Sequence, residues 1–112
     1  MSETGLGKVA RFRLTALAAQ ARVRELAKDS GNLHWSRHIR ERMPRRGIDS
    51  EDVLRILRTG NVEDDPRPGD RQGEWVIKIV RKMGNGRVAG VVTVLIHEQA
   101  LRLLTAEWED HR

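Results

Sequence analysis

The stretch Val88 to Ile96 is nearly all apolar, and it constrains the fold more than any other part of this chain. It is far shorter than the roughly 20 residues a membrane-spanning helix needs. Bounded by turn signals, it reads as a central strand buried on both faces. Before it, Trp75, Ile77 and Ile79 alternate with Val76, Lys78 and Val80, the two-residue period of a strand. Gly84-Asn85-Gly86 between the two is a hairpin signal of the Asn-Gly type. After it, His97-Glu98-Gln99 makes a short turn and Ala100 to Trp108 supplies a last strand. Three sequential strands joined by tight turns predict an antiparallel meander.

The first half of the chain is helical in pattern. Val9, Phe12, Ala16, Ala19, Val23 and Leu26 recur at three- and four-residue steps, which predicts a leading helix over 8–30 with Gly31 just past its end. This helix either lies on its own core or docks a protein partner. Residues 1–7 are polar and glycine-bearing and are expected to fray. Ser36 can cap a second helix, which Pro44 should end or kink, and Gly47 turns the chain. Asp49 caps a third, Glu51 and Asp52 favour the positive end of its dipole, Ile48 can staple onto Val53, and Gly60 ends it. Asn61 to Glu74 is a loop carrying Pro66, Pro68, Gly69 and Gly73, with one short edge strand at its start. Helices that precede a meander must cover one face of it. The expected architecture is therefore α+β, N-terminal helices on one face of a small antiparallel sheet, within one domain spanning 1–112.

The chain carries 21 lysines and arginines against 16 acidic residues, a net charge of +5, and the surplus is arginine. A small basic domain is expected to meet a polyanion, most often nucleic acid. The absence of cysteine excludes disulfides and thiolate chemistry and argues against a zinc site. No segment has the length of a membrane span, and the N-terminus lacks the apolar core of a secretory signal, so a cytoplasmic location without membrane contact is expected.

The chemistry-bearing residues concentrate between Trp35 and Ile48. His38 is followed four and eight residues later by Arg42 and Arg46, which places them toward one side of a helix. Histidine has the unperturbed pKa nearest neutrality and can take or give a proton, while arginine is a charged fork that matches phosphate oxygens. Arg37, Arg40 and Arg45 add like charge that is costly unless an anion meets it. The alternative is that Arg42 or Arg46 pairs with Asp49, Asp52 or Glu107 and ties helix to sheet. Lys78 either contacts substrate or faces water. Trp35, Trp75 and Trp108 either stack on bases or pack against the core, with Trp35 best placed beside the basic helix. Glu63, Asp64 and Asp65 read as a solvated loop rather than a metal site.

The run His38-x-x-x-Arg42-Met43-x-x-Arg46-Gly47-Ile48, then Val53 and Leu57, then Leu104-Thr105-Ala106-Glu107-Trp108, resembles a bacterial family of domains of unknown function. The resemblance covers roughly residues 33–110. That family is similar to the BrnT and RelE-type toxins, small basic ribonucleases of toxin–antitoxin pairs. The resemblance implies a helix-plus-antiparallel-sheet fold, RNA cleavage without metal or cofactor, and a cognate antitoxin. It makes His38, Arg42 and Arg46 the catalytic candidates with Thr105 in support. Arg37, Arg40, Arg45, Lys78 and Trp35 remain candidates for binding nucleic acid. Ile39 stands where relatives have alanine, and Pro44 interrupts the motif helix. Two other readings of the same residues are a nucleic-acid-binding module without catalysis and a protein-interaction domain whose arginines are consumed internally.

Overall fold

The structure, a computed structural model, describes residues 13–110. Helix α1 spans Ala16–Leu26, and strand β1 is Leu33–Trp35. Helices α2 (Arg37–Arg46) and α3 (Ser50–Thr59) follow. Strands β2 (Asn61–Val62), β3 (Arg67–Pro68), β4 (Glu74–Lys82), β5 (Val88–Ile96) and β6 (Ala100–Trp108) complete the chain. The sheet order is β1-β6-β5-β4-β2, with β3 also on β4. All pairings are antiparallel except β1 with β6. The expected α+β architecture is therefore present, with the meander β4-β5-β6 at its centre.

Side chains alternate across the meander. Ile77, Ile79, Ala89, Val91, Leu95, Leu101, Leu103 and Ala106 are buried and belong to one core with Val23, Ile39, Val53, Ile56 and Leu57 of the helices. Lys78, Val92 and Thr105 are register partners in line across β4, β5 and β6, on the opposite face of the sheet. A bulge at Val92/Thr93 leaves Leu104 as the extra residue on β6.

The start of the leading helix differs from expectation. Thr15 accepts a hydrogen bond from the Ala18 backbone N–H and caps α1, so Arg13 and Leu14 precede the helix rather than continue it. Val9, Phe12 and the segment 1–7, for which fraying is expected, lie outside the described residues. The helix also stops early: Ala27 caps it, and Gly31 sits in a short 3-10 turn capped by Asp29. Two arginines then close helix ends reciprocally. Arg24 of α1 donates to the Gly60 carbonyl (2.6 Å), and Arg58 of α3 donates to that of Ala27 (2.7 Å). Carbonyls at a helix C-terminus lack intrahelical donors, and these guanidiniums supply them.

Pro44 does not end α2, which continues to Arg46. Arg40 and Pro44 are both exposed, so the Arg40 carbonyl that loses its donor lies where water can serve it. The helix closes one turn later. Gly47 takes φ +67°, and the Ile48 and Gly47 N–H groups donate back to Met43 and Pro44 in a Schellman arrangement. Asp49 and Asp52 form a reciprocal capping box that starts α3. Strand β1 had no counterpart in the sequence reading. It has three residues, and its partner is β6, almost seventy residues away.

The β5–β6 turn carries strain. His97 and Glu98 both have positive φ, 50° and 58°, the signature of a type I′ turn built without glycine. Arg22 holds it by donating to the Glu98 carbonyl. Glu98→Gly should raise the unfolding free energy by about 1 kcal/mol, because glycine removes the Cβ penalty at the position where type I′ turns favour it. Urea denaturation followed by circular dichroism measures this, and an unchanged or lower midpoint contradicts it.

Candidate nucleic-acid interface

Helix α2 lies along β6, and β6 determines how. Beyond β1, the outer edge of β6 presents carbonyls with no neighbouring strand to pair them. Ser36 serves two needs at one end of the helix. Its hydroxyl accepts from the Ile39 N–H (3.1 Å) and donates to the Leu104 carbonyl (3.2 Å). Its own N–H donates to Leu103 (3.1 Å). At the other end, Arg46 donates to the Ala106 carbonyl (2.8 Å) and lies 3.5 Å from Glu107. The Trp108 indole N–H donates to the Arg46 carbonyl (2.6 Å). Ile39, fully buried between these anchors, fixes the rotation of the helix.

That rotation sorts the basic residues. At 100° per residue, Arg42 lies about 40° and Arg45 about 20° from His38, on opposite sides, whereas Arg46 is about 80° away, next to Ile39. His38 and Arg45 are exposed and Arg42 is half-buried. Among the described residues, none of these three has a hydrogen-bond or ion-pair partner. Arg40 is exposed and equally unpaired, while Arg37 is paired with Glu41 at 3.4 Å across one exposed turn. Five arginines and one glutamate leave the ten residues of α2 with a charge of +4 (5 − 1). Elsewhere several arginines are engaged: Arg22, Arg24 and Arg58 hold carbonyls, and Arg87 pairs with Asp110 and covers the Trp108 ring at 4.2 Å, while Arg13, Arg67 and Arg71 are exposed without a side-chain partner among the described residues.

The predicted trio is thus brought together in part. His38 and Arg42 share a face. Arg46 does not join them, because it is spent on the β6 edge. Its place on that face is taken by Arg45. Lys78 and Thr105 lie on the sheet face opposite the helices, and Lys78 is held by Glu109 at 2.5 Å. Trp35, at the end of β1, is half-buried against the core just before α2, and Trp75 is likewise half-buried. Trp108 rivets the helix to the strand. Glu109 was not anticipated. The signal for it was Gly90, a glycine inside a central strand, which marks a close approach. A Cβ at Gly90 would come within 2.6 Å of Glu109 Oε2.

Among the described residues, no group of three His, Asp or Glu side chains is arranged to hold a metal ion. No described helix is long and apolar enough to cross a membrane. What fold and site define together is a small α+β domain that clamps a strongly basic helix along one edge of its sheet and leaves one cationic face open. Residues 35–108 match the family described as a domain of unknown function, DUF4258, and the chain belongs to that family. No curated protein and no solved structure matches the chain.

The clamp and the open face should separate in stability measurements. Ser36→Ala and Arg46→Ala should each lower the unfolding free energy by about 1–3 kcal/mol, through the lost cap and the carbonyls left without donors. Arg42→Ala should stay within about 0.5 kcal/mol of wild type. Equal losses at Arg42 and Arg46 in denaturant titrations would contradict this division.

Proposed function

We propose that this protein binds RNA through the open face of α2, with Arg42 and Arg45 on phosphates beside His38. The observation that carries this reading is the unpaired state of these cations. Many of the other described arginines are held by carbonyls or carboxylates, whereas three of the five on α2, the most charged helix, have no side-chain partner among the described residues. An external polyanion is the partner that repays that cost. RNA is the choice within nucleic acids because the motif resembles that of ribonuclease toxins.

A second reading is favoured by the exposed imidazole one turn before Arg42. In it the protein cleaves RNA without metal, as the toxin of a toxin–antitoxin pair. The 2′-hydroxyl attacks the adjacent phosphate and forms the new P–O bond. His38 takes or supplies the proton, Arg42 and Arg45 hold the charge that builds on the phosphoryl oxygens, and the 5′-oxygen leaves. Arg46 acts here only by positioning the helix. A cognate antitoxin would then cover this face.

One experiment addresses both readings. Affinity for a labelled single-stranded RNA should fall steeply with added salt, and Arg42→Ala/Arg45→Ala should weaken it across all sequences and flatten the salt slope by about 1–2. Affinity independent of salt, or unchanged in the double variant, overturns binding. The same samples incubated with EDTA read cleavage. Product that forms with wild type and is lost in His38→Ala supports catalysis, whereas its absence, or persistence in His38→Ala, leaves a binding protein.

A further inference from the structure

The sheet face away from the helices carries a second, oppositely charged concavity. The segment that links β2 to β3 arches beside β4 and walls a groove of about 440 Å³. Its floor is aliphatic: Val76, Val80 and Val92 line it, and all three are only half-buried. Its rim is acidic. Glu63, Asp64, Asp65 and Glu109 oppose Arg67 and Lys78, a local charge of −2 (2 − 4) in a chain of net charge +5.

One group in the groove is incompletely satisfied. Glu109 Oε1 holds Lys78 Nζ at 2.5 Å, but Glu109 Oε2 is buried without a hydrogen-bond partner among the described residues. The carboxylate lies over Gly90, where any other residue would collide with it. Lys78 and the Gly90 backbone enclose that carboxylate, so the carboxylates left open to a partner are Glu63 and Asp64, exposed on the rim and without a side-chain partner among the described residues. The acidic rim repels a phosphate backbone.

We infer that this groove docks a polypeptide partner that presents Lys or Arg side chains to Glu63 and Asp64 and aliphatic side chains to Val76, Val80 and Val92. The charge and the floor together select the occupant. Cationic side chains match the rim, and aliphatic neighbours cover valines that no described helix shields. Nucleic acid on α2 and a cationic polypeptide here occupy surfaces of opposite sign on different faces of the sheet, so the inference stands whether or not α2 binds RNA.

The test uses fluorescein-labelled Lys-Val-Lys-Val-Lys-Val amide as the probe, with Glu-Val-Glu-Val-Glu-Val amide as its counterpart, read by fluorescence anisotropy on the full chain. The lysine probe should bind and the glutamate probe should not. Glu63→Gln/Asp64→Asn, a change confined to exposed side chains, should weaken the lysine probe several-fold. Val92→Lys should abolish binding, with folding checked by circular dichroism. Failure of the lysine probe to bind, equal binding of both probes, or affinity unchanged in the charge variant overturns the inference. Complete displacement by equimolar spermidine also overturns it, because the site then recognises polyamine charge rather than a polypeptide.

Discussion

The outer edge of β6 sets most of what is distinctive here. A strand edge exposes backbone groups that invite uncontrolled pairing, and proteins must cover it. Strand β1 covers Leu101–Leu103. Beyond that point the edge is closed by side chains of α2, with Ser36 on Leu104 and Arg46 on Ala106. Two anchors ten residues apart, plus the buried Ile39 between them, leave the helix no freedom to roll. The orientation of every other side chain on α2 follows. A hydrogen-bonding need of the sheet is thereby converted into the presentation of a cationic face.

This also explains why arginine rather than lysine dominates. Arg22, Arg24, Arg46 and Arg58 each reach backbone carbonyls on another element. A planar fork with several donors suits that task better than a single ammonium. The basic composition is therefore partly architectural. Composition alone does not reveal which cations remain for a ligand; the distribution of partners does, and it leaves Arg40, Arg42 and Arg45 together on α2.

Much of the fold was legible because its signals are local. The alternation in Trp75–Val80, the Asn-Gly hairpin, the Asp49 cap and the Ser36 cap each depend on a few neighbouring residues, and each appears where expected. The misses depend on distant partners. Strand β1 exists because β6 lies beside it, and three residues carry no period of their own. The end of α2, by contrast, is a local signal that held: the helix closes two residues after Pro44, in the Schellman turn at Gly47. The candidate site was legible to the same degree. Residue type and rough spacing marked α2 as the chemically loaded element. For Arg46 the alternative reading holds, a pairing with Glu107 that ties helix to sheet: eight residues exceed two helical turns, and the resulting rotation of about 80° carries it to the β6 edge. Arg45, seven residues on, falls on the face that Arg46 leaves. Gly90 and Glu109 escaped notice because a lone glycine and a lone acid declare their contact only in three dimensions.

A helix held in place by Ser36, Arg46 and Trp108 should bring His38, Arg42 and Arg45 to a bound anion together. Nuclear magnetic resonance of the labelled full chain, titrated with a short single-stranded RNA, tests it most directly. The His38 ring and the Arg42 and Arg45 guanidinium signals should shift together, while the Trp108 indole N–H stays in place. Shifts confined to Lys78, Val92 and their neighbours, or movement of the Trp108 indole with no change at His38, would contradict it.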